Sequence, residues 1–165
     1  MSPSSAPDAS RQVSAPLVIG VGHRHRQDDA VGPSVAEALA AKGHDAVVHE
    51  GDGLALIELW SGRSHCVIVD ALAGDAEPGR VFRFEAGSRA LAAASFVRSS
   101  HKIGVAEAVA LAQRLGRLPE RLTVIGIAGR RFGFGAEMSP EVRHGADVVV
   151  EELAEIGATE VVDSA

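Results

Sequence analysis

Residues 17–32 read LVIGVGHRHRQDDAVG. The branched apolar run Leu17–Ile19 leads into Gly20-Val21-Gly22, a polar loop follows, and the adjacent carboxylates Asp28 and Asp29 come just before helix-compatible sequence at Ala30. This order predicts a strand, a tight turn and a helix start, the repeating unit of parallel α/β sheets. Ligands of such sheets bind in the crevice at the carboxyl edge of the strands, where this turn would carry its acidic groups. A carboxylate at a helix N-terminus meets free N–H groups and the positive end of the helix dipole. One aspartate is therefore expected to cap the helix, leaving the other to face the crevice.

The same alternation continues along the chain. Val31–Ala41 has Val31, Val35 and Leu39 at helical spacing, Pro33 in its first turn and the stop signal Gly43 beyond. Ala46–His49 predicts a second strand, Leu54–Trp60 a short helix, and Cys66–Ala71 a continuous apolar strand of the kind buried on both faces. Gly79–Glu85 alternates apolar and polar residues, as a half-exposed and antiparallel edge strand would. Gly104–Leu115 reads as a helix and Leu122–Ala128 as another buried strand. The last helix opens at Ser139-Pro140-Glu141, with Ser139 as N-cap and Pro140 at the first helical position, and runs to about Ile156. These elements predict a doubly wound α/β three-layer sandwich: a mostly parallel central sheet of about five strands with helices on both faces. The expected organisation is a disordered tail over residues 1–15, one α/β domain over 16–157 and a C-terminal tail over 158–165.

Composition narrows the function. With 46% hydrophobic residues in 165, the chain can bury a full core without disulfide or metal staples. The formal net charge is −6 and no basic stripe is present, which argues against nucleic acid or an anionic membrane surface as the main partner. No apolar stretch approaches the roughly 20 residues needed to span a bilayer, and the N-terminus has no basic segment followed by an apolar one. A cytoplasmic location is expected. The single Cys66, inside HCVIVDA, reads as a buried and inert thiol. The helices are amphipathic rather than zipper-like, so a monomer is expected.

Four features could carry chemistry. Gly20-Val21-Gly22 invites a dinucleotide reading, but that fingerprint wants a third glycine where this chain has His25, and the loop is long and basic. Asp70 ends an apolar strand, and a buried carboxylate there needs a partner, water or a ligand. His101, in SSHKIG, precedes a predicted helix and is a residue type suited to metal ligation and proton transfer. His23 and His25 lie in the crevice loop, whereas His44, His49, His65 and His144 read as surface or packing residues. Two carboxylates and an imidazole meeting at one sheet edge would make a metal site. No Ser-His-Asp or Cys-His grouping offers a nucleophile, and no HExxH helix is present.

Taken in order, LVIGVG…DDAVG, VIVDA at 67–71, SSHKIG at 99–104, LTVIGI at 122–127 and MSPEV at 138–142 make the chain resemble the nickel–iron hydrogenase maturation proteases. These endopeptidases trim the C-terminus of the hydrogenase large subunit. The resemblance covers roughly residues 16–155. It implies a metal site made of Asp29, Asp70 and His101, which would also be the catalytic residues. It implies that the nickel is carried by the substrate, the large-subunit precursor, and that zinc or cadmium can occupy the same ligands in the isolated protein. The family's D-G-G-T-like turn, thought to help recognise substrate, falls on Glu50-Gly51-Asp52-Gly53. His23 stands where the family usually has asparagine, and Asp29 where it often has glutamate. His23 is thus a candidate substrate contact, and His23 or His25 could add a ligand. The glycine-rich segment GRRFGFGAEMSP at 129–140 could contact substrate. The implied function is removal of the precursor's C-terminal extension after nickel insertion, with the bound nickel as the recognition signal. Two other classes fit the same trio or fold: a nickel-dependent binding or chaperone module that does not cut, and a nucleotide-binding regulator.

Overall fold

The computed structural model describes residues 15–97, 103–135 and 137–162. Among the described residues there are five strands, five α-helices and one 3-10 turn. In chain order the strands are β1 (Leu17–Val21), β2 (Ala46–His49), β3 (His65–Leu72), β4 (Val81–Glu85) and β5 (Arg121–Ala128). The helices are α1 (Val31–Ala41), α2 (Gly53–Trp60), α3 (Arg89–Ala93), α4 (Val105–Arg114) and α5 (Pro140–Val162), with the 3-10 turn over Gln27–Ala30. The strands form one sheet in the order β2-β1-β3-β5-β4. All neighbours are parallel except β4, which runs antiparallel to β5 at the edge.

The sheet divides two apolar layers. On one face Leu17, Ile19, Cys66, Ile68, Leu122 and Val124 pack with Leu56, Trp60, Val105 and Val109 of α2 and α4. On the other, Val18, Val67, Val69, Ile125 and Ile127 pack with Val35 and Leu39 of α1 and Val142 and Val149 of α5. Because β3 and β5 lie inside the sheet with helices on both sides, their side chains are apolar on both faces. The outer strand β4 alternates Val81, Phe82, Arg83, Phe84 and Glu85, as its half-exposed position requires. The fold class, the five strands and the antiparallel edge therefore match the sequence expectation.

Two glycines let α1 lie tightly on the sheet. A Cβ on Gly20 would stand 2.1 Å from the Gly32 carbonyl oxygen, and a Cβ on Gly32 would stand 2.2 Å from that of Val21. The N-terminal end of α1 thus rests on backbone of β1, which is what the glycines at the end of β1 provide in place of a cofactor turn. Two elements differ from expectation. The five-residue α3, capped by Ser88 Oγ on Leu91 N–H at 3.1 Å, was not predicted. Helix α5 continues to Val162, past the expected end near Ile156. Among the described residues no helix is long and apolar enough to cross a membrane.

Candidate active site

The strand order places β2 on one side of β1 and β3 on the other, so the connections leaving β1 and β3 run to opposite sides of the sheet and diverge at the carboxyl ends of these two strands. Such a switch point opens a crevice. Here it holds a cleft of about 200 Å³ whose lining includes Val21, Gly22, His23, Asp29, Glu50 and Asp70. Its other walls come from the start of α2, where Gly53 and Leu56 face it, and from Ile103, Gly104 and Val105 at the start of α4. Gly53 N–H donates to the Ile103 carbonyl at 2.9 Å, and a Cβ on Gly53 would be 2.5 Å from that oxygen. This backbone clasp joins the start of α2 to the segment that enters α4.

Asp29 and Asp70 share the cleft, at 7% and 1% exposure. Asp70 Oδ1 accepts the Ala71 N–H at 2.8 Å, and Asp29 Oδ2 accepts the His23 N–H at 3.0 Å. Burial pushes the Asp70 carboxyl well above the usual carboxylate range, and the charge of Asp29 pushes the same way against the single Ala71 N–H. Burial also raises Asp29, opposed by the His23 N–H and by the positive charge of Arg26. Two buried acids on one cleft, one raising the pKa of the other, are a natural place for a cation.

Asp28 does something else. It is fully buried and accepts N–H bonds from Arg130 (2.9 Å), Arg131 (2.9 Å) and Ser139 (2.8 Å), together with the Ser139 hydroxyl at 3.0 Å. Burial alone would raise its pKa, but these four donors together hold it below the usual range. Neither aspartate caps α1: no side chain caps it, and the 3-10 turn runs directly into the helix. The expected division of the pair into cap and crevice residue is corrected on this point. Asp29 is the crevice residue, and Asp28 ties its loop to the segment at 129–139.

That tie is reinforced by backbone bonds. Gln27 N–H donates to Gly135 O at 3.1 Å, Gly135 N–H to His25 O at 3.0 Å, and Asp28 N–H to Arg131 O at 2.9 Å. Gln27 is held at φ 49°, a left-handed conformation uncommon for a non-glycine residue and concentrated at functional sites. Similarly, Ser139 does not act only at the start of α5, since its hydroxyl is directed to Asp28.

Of the other residues named from sequence, His23, Glu50, Gly51 and Gly53 all line the cleft. The His23 Nδ1 is buried and lacks a hydrogen-bond partner among the described residues. Arg24 binds Glu50 through its backbone N–H (3.1 Å) and its guanidinium (3.2 Å), which hold Glu50 below its usual range. Asp52 is not part of the lining; its Oδ1 accepts Leu54 N–H at 2.9 Å and caps α2. His101 lies outside the described residues, as do Ser99 and Ser100. Among the described residues no group of three or more His, Cys, Asp or Glu is arranged to hold a metal ion. Asp29 and Asp70 are hard oxygen donors, and an imidazole beside them would suit nickel or zinc.

Two cleft residues escaped the sequence reading. His49, read as a surface or packing residue, ends β2 in the lining, and its Nε2–H donates to the Asp52 carbonyl at 2.9 Å. Its place at the carboxyl end of a parallel strand was the available signal. Arg26 was noted only as part of a basic loop, yet it too faces the cleft. Cys66 is fully buried, with burial pushing its thiol up to about 11, as an inert core residue requires.

The architecture is that of a doubly wound α/β protein with a two-aspartate cleft at its strand switch point. A family model for hydrogenase maturation proteases matches residues 33–156, and the chain belongs to that family of enzymes. It is similar to the nickel–iron hydrogenase maturation protease HybD from Thermococcus kodakarensis, with 28% identity and a TM-score of 0.65, covering 86% of this chain and 97% of that one. It is also similar to the hydrogenase 2 maturation protease of Escherichia coli K12, 22% identical over 142 residues, or 83% of this chain and 87% of that protein. The fold of the Escherichia coli endopeptidase HybD superposes with a TM-score of 0.66 at 24% identity, over 83% of this chain and 88% of that one.

Proposed function

We propose that the protein is the endopeptidase that removes the C-terminal extension of a nickel–iron hydrogenase large-subunit precursor after nickel has been inserted. The observation that carries this reading is the pairing of Asp29 and Asp70, two buried carboxylates on one cleft at the switch point of a hydrogenase maturation protease fold. His101 would complete the set; Ile103, two residues further on, lines the same cleft.

In this reading nickel is part of the substrate. Asp29, Asp70 and His101 would bind it and so test whether insertion has occurred, and a three-ligand set leaves positions open for the substrate's own groups. In isolated protein zinc or cadmium would take the same ligands. The cut itself adds water across the scissile amide. A water oxygen bonds to the carbonyl carbon, the C–N bond breaks, and the departing nitrogen takes up a proton. Asp29 or Asp70 can accept the proton lost by water and return it to the leaving amine, because burial holds both acids nearer neutrality than free aspartate. Glu50, Gly51, Gly53 and His23, all on the cleft wall, would contact the bound polypeptide.

The test is direct. Incubate the protein with nickel-loaded and nickel-free precursor and weigh the products by mass spectrometry. Loss of a C-terminal peptide from the nickel-loaded form alone is the expected result. Nickel-dependent association without cleavage would replace the protease with a binding or chaperone module.

A further inference from the structure

Arg26 differs from the neighbouring arginine in the same loop. Arg24 is exposed and neutralised by Glu37, at 2.6 Å, and Glu50, at 3.2 Å. Arg26 faces the cleft beside Asp29, its Nε is buried, and that nitrogen has no hydrogen-bond partner among the described residues. A shielded guanidinium N–H without an acceptor is costly, and it signals a group waiting for one.

The guanidinium is also held in place. Its Cζ lies 4.7 Å from the ring centroid of Phe134, which is 81% exposed. An aromatic ring that exposed gains little from folding, so its evident contact is the cation–π stack on Arg26. The two segments are locked together: Arg26 bridges to Gly135 in parallel β fashion, and the carboxylate of Asp28 anchors Arg130 and Arg131. The side chain is thus preorganised in the cleft wall, with its orientation set before any ligand arrives.

Resting on the protease reading above, we infer that Arg26, stacked on Phe134, is a substrate-positioning residue that donates to a main-chain carbonyl of the polypeptide being cut. A carbonyl fits better than a carboxylate. Asp29 and Asp70 line the same cleft, and a second anion would meet like charge, whereas a neutral carbonyl accepts the bond without that repulsion.

The test is steady-state processing of nickel-loaded precursor by wild type, Arg26→Ala, Arg26→Lys and Phe134→Ala, with melting temperatures measured alongside. Loss of a charged hydrogen bond predicts a KM raised roughly 10- to 100-fold in Arg26→Ala, with kcat little changed. Arg26→Lys should recover only part of this, because lysine has neither the planar fork nor the stacking face. Phe134→Ala should give a smaller rise in KM. An unchanged KM in Arg26→Ala, or a fall in kcat alone, would overturn the inference while leaving the protease reading intact. If Arg26→Ala does not fold, wild-type KM in Arg26→Lys overturns it instead. Failure of the wild type to cut overturns the protease reading and this inference together.

Discussion

Ser139 donates both its backbone N–H, at 2.8 Å, and its hydroxyl, at 3.0 Å, to the carboxylate of Asp28, 111 residues earlier in the chain. Two adjacent aspartates therefore have opposite tasks. Asp28 closes the loop behind the cleft, and Asp29 faces into it.

Asp28→Ala would remove the buried acceptor of three N–H groups and a hydroxyl, all in part-buried hydrogen bonds. Hydrogen bonds to a charged group contribute about 1.5–3 kcal/mol each, and water reaches the freed donors in part, so a loss of about 2–3 kcal/mol is expected. The lowered Asp28 pKa also sets a pH dependence. A carboxylate depressed in the folded state stabilises above its unfolded value, about 3.9, and that contribution disappears as pH falls through the folded value. Urea titrations should show a gap between wild type and Asp28→Asn that is constant near neutrality and closes in strong acid.

Asp70 predicts the reverse sign. Its raised folded pKa means that the unfolded chain ionises first. Metal-free protein should lose stability as pH climbs above about 4 toward the Asp70 folded value. Asp70→Asn cannot ionise, so with chelator at pH 7 it should melt above wild type, each kcal/mol shifting Tm by roughly 2–4 °C. The difference should shrink as the pH approaches 4. A lower Tm for Asp70→Asn at neutral pH would show that ionised Asp70 stabilises the fold.

Activity should divide differently from stability. Asp70→Ala and His101→Ala are each expected to abolish precursor processing while their circular dichroism stays native. Full processing by either variant would remove that residue from the proposed site.

The contact between β1 and α1 leaves no room for a methyl group. Gly20→Ala would bring a Cβ within 2.1 Å of the Gly32 carbonyl, backbone against backbone. Overpacking of this kind costs typically 1–3 kcal/mol or more. Denaturant midpoints of Gly20→Ala and of the exposed control Gly43→Ala, whose added Cβ meets nothing within 4 Å, should separate steric cost from backbone strain, since Gly43 has φ 88°.

Much of the architecture was legible because burial imposes its own pattern. β3 and β5 are covered on both faces and read as mostly apolar runs, Cys66–Val69 and Val124–Ala128, while β4 at the edge keeps the two-residue alternation of a half-exposed strand. The five-residue α3 is too short to show a helical period, so no comparable signal marked it. Asp29 and Asp70 could be proposed from their places at strand and loop ends. The task of Asp28 could not, because the donors that satisfy it come from residues 130, 131 and 139 rather than from the helix it precedes.

The sequence by itself determined the order of strands and helices, the glycines that let α1 meet β1, and the acidic residues available at the strand ends. These are local properties, governed by periodicity and by what each side chain permits its own backbone. Only the tertiary structure decided which polar groups meet. It paired Asp28 with Ser139, brought His49 to the cleft, stacked Arg26 on Phe134 and set Asp29 beside Asp70 at the switch point. The reason is that hydrogen bonds, stacking and charge coupling act over a few ångströms, and the sheet order alone brings segments far apart in the chain within that distance.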